Sequence, residues 1–154
     1  MDLSDVITPE AILPSLKANS KKQVLQAIAE KAAAMTGVEE RDIFDTLNKR
    51  EKLGSTGVGG GIAIPHGKLA KLDHIFGMFA RLPKPIDFEA LDETPVDLIF
   101  LLLAPESAGA DHLKALARVA RLFREPGIAG KLRASSDASA LYAVLTESAA
   151  DHAA

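Results

Sequence analysis

The sequence contains no cysteine and no tryptophan among its 154 residues, and it carries no excess of positive charge. The missing thiols exclude disulfide bonds, cysteine nucleophiles and cysteine zinc sites, and they are typical of a protein in the reducing cytoplasm. With 18 Lys and Arg against 21 Asp and Glu, the formal charge of −3 offers no basic field for nucleic acid or an anionic membrane. The longest apolar run, Leu98–Pro105, is far shorter than the roughly 20 residues that span a bilayer. We therefore expect a cytoplasmic protein without membrane insertion or nucleic-acid binding.

The apolar content is that of one globular domain, residues 1–154, because 47% of the residues are hydrophobic and 25% are charged. Helical spacing of apolar residues predicts helices over residues 20–37, 39–52, 111–124, 127–133 and 137–148. Apolar and alternating runs predict strands over residues 62–64, 74–82 and 96–104, the last of them in the middle of a sheet. Helices before and after a block of strands favour an α/β fold, a single-domain sandwich with a central mixed β-sheet flanked by helices.

A glycine-rich segment follows the second predicted helix. Six of the fifteen residues in GSTGVGGGIAIPHGK, residues 54–68, are glycine, which excludes a helix here. Pro65 and Gly67 flank His66 and leave room above its ring, so we expect this side chain to be presented just past the end of a short strand. Backbone N–H groups of such a loop can converge on an anion. Side chains with donors suited to phosphate are Arg50, Ser55, Thr56 and Lys68. The segment is thus a candidate phosphate site, the alternative being a tight turn beside a surface histidine.

The established nucleotide and metal motifs do not fit this chain. A Walker A loop requires glycine where Ile62 stands and Ser or Thr where Leu69 follows Lys68. A dinucleotide fingerprint also fails at Ile62, and these glycines precede a strand instead of following one. His74 and His152 are expected to be solvated, and no two histidines have the spacing of a metal-binding pair, so no metal site is predicted. A nucleotide-binding enzyme is the weaker alternative.

The segment NKREKLGSTGVGGGIAIPHGK, residues 48–68, closely resembles the active-site signature of phosphotransferase-system enzyme IIA of the fructose and mannitol type. Its nitrogen-regulatory branch is the most similar. The resemblance continues through PIDFEALDETPVDLIFLLLAP, DHLKALARVARLF and KLRASSDASALYAVL. It implies that His66 accepts a phosphoryl group from the phosphohistidine of a small HPr-like carrier protein. It also implies that Arg50 contacts the phosphohistidine and that His112, at the start of a later helix, stands near His66. The positions that match the family's loop are Ser55, Thr56 and Gly57.

The function implied by the resemblance is a phosphocarrier whose phosphorylation state is passed on or detected by other proteins, without a cofactor. Sugar-transporting relatives are often fused to or paired with IIB and membrane IIC parts, whereas this chain ends after one domain, which favours regulation. The expected partners are the HPr-like donor and either regulatory target proteins or a IIB acceptor. The alternative is a IIA component for fructose- or mannitol-type sugar transport that passes the phosphoryl group to IIB.

Two details of the helix that carries His112 are predicted by its sequence. Asp111 is expected to cap this helix, which places His112 in its first turn. The buried face is expected to contain Leu113, Leu116 and Val119, with Arg118 on the polar face.

Overall fold

The computed structural model of the chain describes the backbone of residues 1–153 and the side chains of residues 1–147. Its centre is a mixed six-stranded sheet. The strands are β1 (Ile12–Leu13), β2 (Gly57–Gly59), β3 (Ile62–Ala63), β4 (His66–Leu69), β5 (Phe76–Ile86) and β6 (Val96–Pro105). Their order is β1-β5-β6-β3-β2, and β4 pairs with β6 as well. Strand β6 runs antiparallel to β5 and parallel to β3 and β4.

Within residues 1–153, five α-helices flank the sheet. They are α1 (Lys21–Thr36), α2 (Glu40–Lys52), α3 (Ala110–Phe123), α4 (Ile128–Arg133) and α5 (Ala138–Ala153). Helices α1 and α2 pack on each other and against β5 and β4, α3 and α4 pack against β6, and α5 packs against β1. The predicted α/β sandwich with a central mixed sheet is confirmed. None of the helices in the described part of the chain combines the length and hydropathy required to cross a membrane.

Strand β6 is the centre of the core, as its apolar sequence predicts. Every residue from Leu98 to Leu103 is fully buried, so side chains on both faces of the strand are covered. On one face, the Phe100 ring meets Phe123 of α3 edge-on, with 6.4 Å between ring centroids. A strand with so many buried neighbours provides a rigid support for the shorter strands that pair along its other edge.

The two short strands β3 and β4 lie one after the other along the same edge of β6. Strand β3 pairs Ile62 with Leu98, and β4 pairs His66 with Leu102. His66 lies past the end of β3, as predicted, but it also opens the unpredicted strand β4, because the chain pairs with β6 again after Pro65. The carbonyl of Pro65 accepts a hydrogen bond from the Leu102 N–H at 3.0 Å, so proline, which lacks a donor, still joins the ladder through its oxygen.

The glycine-rich segment forms the β2–β3 hairpin, and the predicted strands include β3 but not β2. Gly59, Gly60 and Gly61 have φ values of 98°, 66° and 82°, a conformation that side chains with a Cβ rarely adopt. The Gly60 N–H donates to Asp92 Oδ2 at 3.0 Å, and Arg133 Nη2 donates to the Gly60 carbonyl at 2.7 Å. The tip of the hairpin is thus held from both sides.

Candidate functional site

The His66 ring is held at both of its nitrogens. The Arg50 Nε–H donates to His66 Nε2 at 3.3 Å, and His66 Nδ1 lies 2.8 Å from the carbonyl oxygen of Ile64. Because a guanidinium only donates and a carbonyl only accepts, the proton of the neutral ring belongs on Nδ1. Nε2 then carries the free electron pair and is the nucleophilic atom of the ring.

Arg50 comes from the last turn of α2, where basic side chains are favoured by the helix dipole. Its Nη1–H donates to the Gly54 carbonyl at 2.9 Å, which fixes the guanidinium relative to the start of the loop. These two contacts use two of the five N–H groups of arginine. The guanidinium can therefore contact His66 and a bound anion from one position.

Gly67, next to His66, allows α2 and β4 to approach closely. A Cβ at this position would lie 2.5 Å from Thr46 Cγ2 on α2, which is too close for any real contact. The close approach brings the helix that carries Arg50 to the strand that carries His66. Glycine at position 67 therefore permits the Arg50–His66 contact, because a larger residue would hold α2 away from β4.

Helix α3 begins one residue earlier than predicted, and its cap differs. Gly109 is the N-cap residue with φ 56° and ψ −126°, and no side chain caps the helix. Asp111 lies in the first turn instead of capping it, so that prediction is wrong. The physical reason is that the chain turns sharply out of a 3-10 turn, Glu106–Ala108, and glycine is the residue that adopts this backbone geometry readily.

The buried face of α3 contains Val119 and part of Leu116, as predicted, but it differs from the prediction at Leu113 and Arg118. Leu113 is 67% exposed, whereas His112 is only 7% exposed and Arg118 is buried too. The His112 ring lies 5.9 Å from the His66 ring between centroids, at an interplanar angle of 48°. Its Nδ1 is buried and has no hydrogen-bond partner among the described residues. The structure therefore places Arg50, His66 and His112 together.

Burial lowers the pKa of both histidines. For His66 the burial effect is the largest, the Arg50 charge acts in the same direction, and the Ile64 carbonyl and the Glu51 carboxylate oppose it. For His112, burial again dominates and is reinforced by charge on His66 and Lys68. Both rings are accordingly neutral at neutral pH.

Acidification should therefore protonate these two histidines only below the ordinary histidine pKa of about 6.5. Between that value and the lowered pKa values of the folded protein, the unfolded chain binds more protons, so the free energy of unfolding should decrease as pH falls. NMR titration of the ring protons, with the chain in denaturing urea as the control, measures both pKa values. Titration of His66 above the value in urea would contradict the expectation.

The hydrogen-bond donors of Ser55, Thr56 and Gly57 are engaged by the protein. The Ser55 hydroxyl donates to the Phe88 carbonyl at 2.7 Å, and the Gly57 N–H donates to Ser55 Oγ at 3.1 Å. The Thr56 N–H donates to Glu51 Oε1 at 3.0 Å, and the Thr56 hydroxyl donates to Glu51 Oε2. In this structure the loop offers a fixed backbone, and these particular groups do not converge on a shared anion position.

Sequence reasoning missed Glu51, whose buried carboxylate accepts the Thr56 hydrogen bonds. A signal was present, since Glu51 is an acidic residue in the last turn of α2, where the helix dipole disfavours negative charge. An acidic residue in the last turn of a helix generally has a partner elsewhere in the fold that compensates its charge.

Of the other two histidines, only the side chain of His74 is described, and it does not belong to this cluster. His74 is exposed, as predicted, and its Nδ1 contacts the neighbouring Asp73, whereas the side chain of His152 lies outside the described ones. Among the side chains that the structure describes, no three His, Asp or Glu groups are arranged to hold a metal ion.

Comparison with known proteins assigns the chain to a family. The family model of the phosphoenolpyruvate-dependent sugar phosphotransferase system, EIIA 2, matches residues 5–148. The chain belongs to this family. A nitrogen regulatory protein of Bradyrhizobium diazoefficiens is 67% identical over 145 residues, which cover 94% of this chain and 95% of that protein. This phosphotransferase-system component is thus similar to the nitrogen-regulatory branch, as the sequence predicts.

Two further relatives place the protein within the family. The crystal structure of the nitrogen regulatory protein IIA-Ntr from Neisseria meningitidis has a TM-score of 0.89 at 36% identity, and the match covers 94% of this chain and 99% of that one. A fructose-specific EIIA component of Haloferax volcanii is 34% identical, over 96% of this chain and 98% of that protein. The regulatory and the sugar-specific members therefore share the whole fold of this IIA protein.

Proposed function

We propose that this IIA protein is a phosphocarrier in which His66 Nε2 accepts a phosphoryl group from the phosphohistidine of an HPr-like carrier protein. The observation that supports this most directly is the tautomer of His66, with Nδ1 engaged by the Ile64 carbonyl and the electron pair of Nε2 facing Arg50. In the transfer, the Arg50 N–H moves from Nε2 to a phosphoryl oxygen, which frees the electron pair of Nε2. A bond then forms between Nε2 and phosphorus, and the P–N bond to the donor breaks. The electron pair of that bond returns to the donor imidazole, so no proton or cofactor is needed.

The cluster of Arg50, His66 and His112 is suited to stabilise the charge that develops during this transfer. Phosphoryl transfer is catalysed largely by positioning and by fixed donors around the equatorial oxygens. Arg50 supplies a fork of N–H groups that stays charged at every relevant pH. The unpartnered, buried Nδ1 of His112 can hydrogen-bond a phosphoryl oxygen that enters the site. The Ile64 carbonyl stabilises the positive charge that the His66 ring gains on phosphorylation, while Ser55, Thr56 and Gly57 shape the loop beside it.

Exposed apolar side chains occur in the segments that build the site and suit a transient protein partner. Leu53 follows α2, Val58 lies in the hairpin and Leu113 follows His112, with exposed fractions of 85%, 59% and 67%. Apolar groups in such positions contribute to the small, short-lived interfaces of carrier proteins. We propose that the donor docks here.

We further propose a regulatory role in nitrogen metabolism, in which target proteins detect whether His66 carries the phosphoryl group. The similarity to nitrogen regulatory proteins over almost the whole chain supports this role. The 34% identity to a fructose-specific component keeps transfer to a IIB acceptor as the second candidate. Incubation of the phosphorylated protein with IIB domains distinguishes them, since a regulatory protein should retain its phosphoryl group.

Phosphorylation with and without a donor protein tests the carrier function. The loop lacks the Lys and hydroxyl arrangement that holds nucleotide phosphates and Mg²⁺, so the energy for transfer must come from a phosphorylated donor. A phosphorylated HPr-like carrier, freed of nucleotide, should phosphorylate the chain rapidly and stoichiometrically. Mg-ATP alone should neither bind tightly nor label it.

A matched control uses the same carrier in its unphosphorylated form, which should leave the chain unlabelled. Stoichiometric labelling from purified ATP without a carrier would overturn the proposal and favour the nucleotide-binding enzyme.

A further inference from the structure

Glu51, the residue after Arg50 in the last turn of α2, is a carboxylate removed from water, with a side chain only 4% exposed. Both of its oxygens have partners. Oε1 accepts the Thr56 N–H at 3.0 Å and pairs with Lys21 Nζ at 3.0 Å, and Oε2 accepts the Thr56 hydroxyl. A buried charge is tolerated only when its partners are this complete, and loss of one partner leaves the charge uncompensated.

The partners of Glu51 connect four separate parts of the fold. Lys21 opens α1, and its ammonium lies 4.9 Å from the centroid of the Phe88 ring, in the segment after β5. The Phe88 carbonyl in turn accepts the Ser55 hydroxyl, next to Thr56. The start of α1, the end of α2, the loop before β2 and the segment around Phe88 therefore meet at one carboxylate.

This hydrogen-bond network is connected to the Arg50–His66 contact through the loop that follows α2. Arg50 Nη1–H donates to the Gly54 carbonyl, and Thr56, two residues further on, is fixed by Glu51 at both its N–H and its hydroxyl. The Gly54 N–H is held by the Glu51 main-chain carbonyl at 3.1 Å, but the direction of the Gly54 carbonyl depends on the residues that follow, which Glu51 fixes at Thr56. A loop released at Thr56 would let this carbonyl turn away, and the guanidinium would lose the group that orients it. Hydrophobic packing alone does not require a carboxylate here, because an apolar residue of similar volume would fill the same space.

We infer that Glu51 is a positioning residue for phosphoryl transfer, which holds the Arg50 guanidinium against His66 by fixing Thr56 and, through it, Gly54. The inference rests on the proposed function of His66. Glu51 does not touch the reacting atoms. Its negative charge also raises the pKa of His66 against the effects of burial and of Arg50, so the carboxylate acts on the ring electrostatically as well.

The test compares Glu51→Gln, Thr56→Val and Thr56→Ser in phosphoryl transfer from a phosphorylated carrier. The valine variant removes the hydroxyl at nearly constant volume, whereas the serine variant keeps it and is the matched control. Because small misplacements of a catalytic group have large kinetic effects, the single-turnover rate constant for transfer should fall about 10- to 100-fold in the Gln and Val variants. The carrier concentration that gives half the maximal rate should stay within about twofold, and Thr56→Ser should transfer at nearly the wild-type rate.

A second measurement does not depend on transfer. The ¹⁵N chemical shifts of His66 should report the Nδ1–H tautomer in the wild-type protein and a mixture of tautomers in Glu51→Gln, where the Arg50 donor is no longer held. If wild-type protein is not phosphorylated at all, the proposed function fails, while these shifts still test the role of Glu51.

Thermal unfolding establishes that each variant is folded, and the two Thr56 variants decide the question if the buried amide of Glu51→Gln prevents folding. A wild-type transfer rate in folded Thr56→Val would overturn the inference. An equal loss of transfer rate in Thr56→Ser and Thr56→Val would overturn it too, since the hydroxyl would then have no part in positioning.

Discussion

Replacing His66 with alanine should abolish phosphorylation of the protein by a phosphohistidine carrier. The substitution removes Nε2, the unprotonated nitrogen of the His66 ring, and the neighbouring His112 ring is not expected to replace it as acceptor, because its Nδ1 is buried. Arg50 is permanently charged, and the Ser55 and Thr56 hydroxyls donate to Phe88 and Glu51. Transfer of a radioactive phosphoryl group, followed by gel analysis, should give no label above background.

The stability of the bond identifies the acceptor in the wild-type protein. A phosphohistidine is hydrolysed in acid, whereas a phosphoserine or phosphothreonine survives, so the wild-type label should disappear on acid treatment. His74→Ala is the matched control, because this exposed histidine lies outside the cluster and its variant should be labelled normally. Acid-stable label that persists in His66→Ala would assign the acceptor to Ser55 or Thr56.

Replacing Arg50 with lysine should slow transfer by about 10- to 100-fold, equivalent to about 1.4 to 2.8 kcal/mol of transition-state stabilisation. Lysine keeps the positive charge but cannot contact Gly54 and His66 simultaneously with a rigid planar fork, as the guanidinium does. Arg50→Met, which also removes the charge, should be slower still. Rapid-quench measurement of single-turnover transfer from the phosphorylated carrier gives the rates.

The control for this prediction is Arg41→Lys, an exposed arginine near the other end of α2. It should leave the transfer rate unchanged. The melting temperature of Arg50→Lys should stay close to wild type, because the side chain is partly exposed and sits in the last turn of its helix. Unaltered transfer in folded Arg50→Lys would remove this residue from the mechanism.

The first turn of α3 shows where sequence reasoning stopped. The amphipathic spacing correctly predicts that Val119 is buried, but the helix packs with His112 inward and leaves Leu113 in solvent. The approach of α3 to β6 decides whether His112 or Leu113 is buried, and that contact joins parts of the chain that are distant in sequence. The same contact buries His112 against His66, so the second histidine of the cluster depended on it.

Much of the secondary structure and one candidate site residue could be predicted from local sequence patterns. Apolar patterns predict the helices and the buried strand β6. The glycine and proline residues around His66 single out this histidine, because their backbone effects act over a few residues. The residues of the segment 48–68 also carried the family resemblance, because they match as an ordered run.

Only the tertiary structure decided which groups of that segment face His66. The pairing of β4 with β6 beyond Pro65 sets the backbone of His66 opposite Leu102, and the close packing at Gly67 brings Arg50 to Nε2. Glu51, the residue after Arg50, accepts hydrogen bonds from the N–H and the hydroxyl of Thr56, which the sequence analysis treats as possible phosphate ligands. Hydrogen-bond partners and burial arise from the packing of distant segments, so residue type and spacing alone do not determine them.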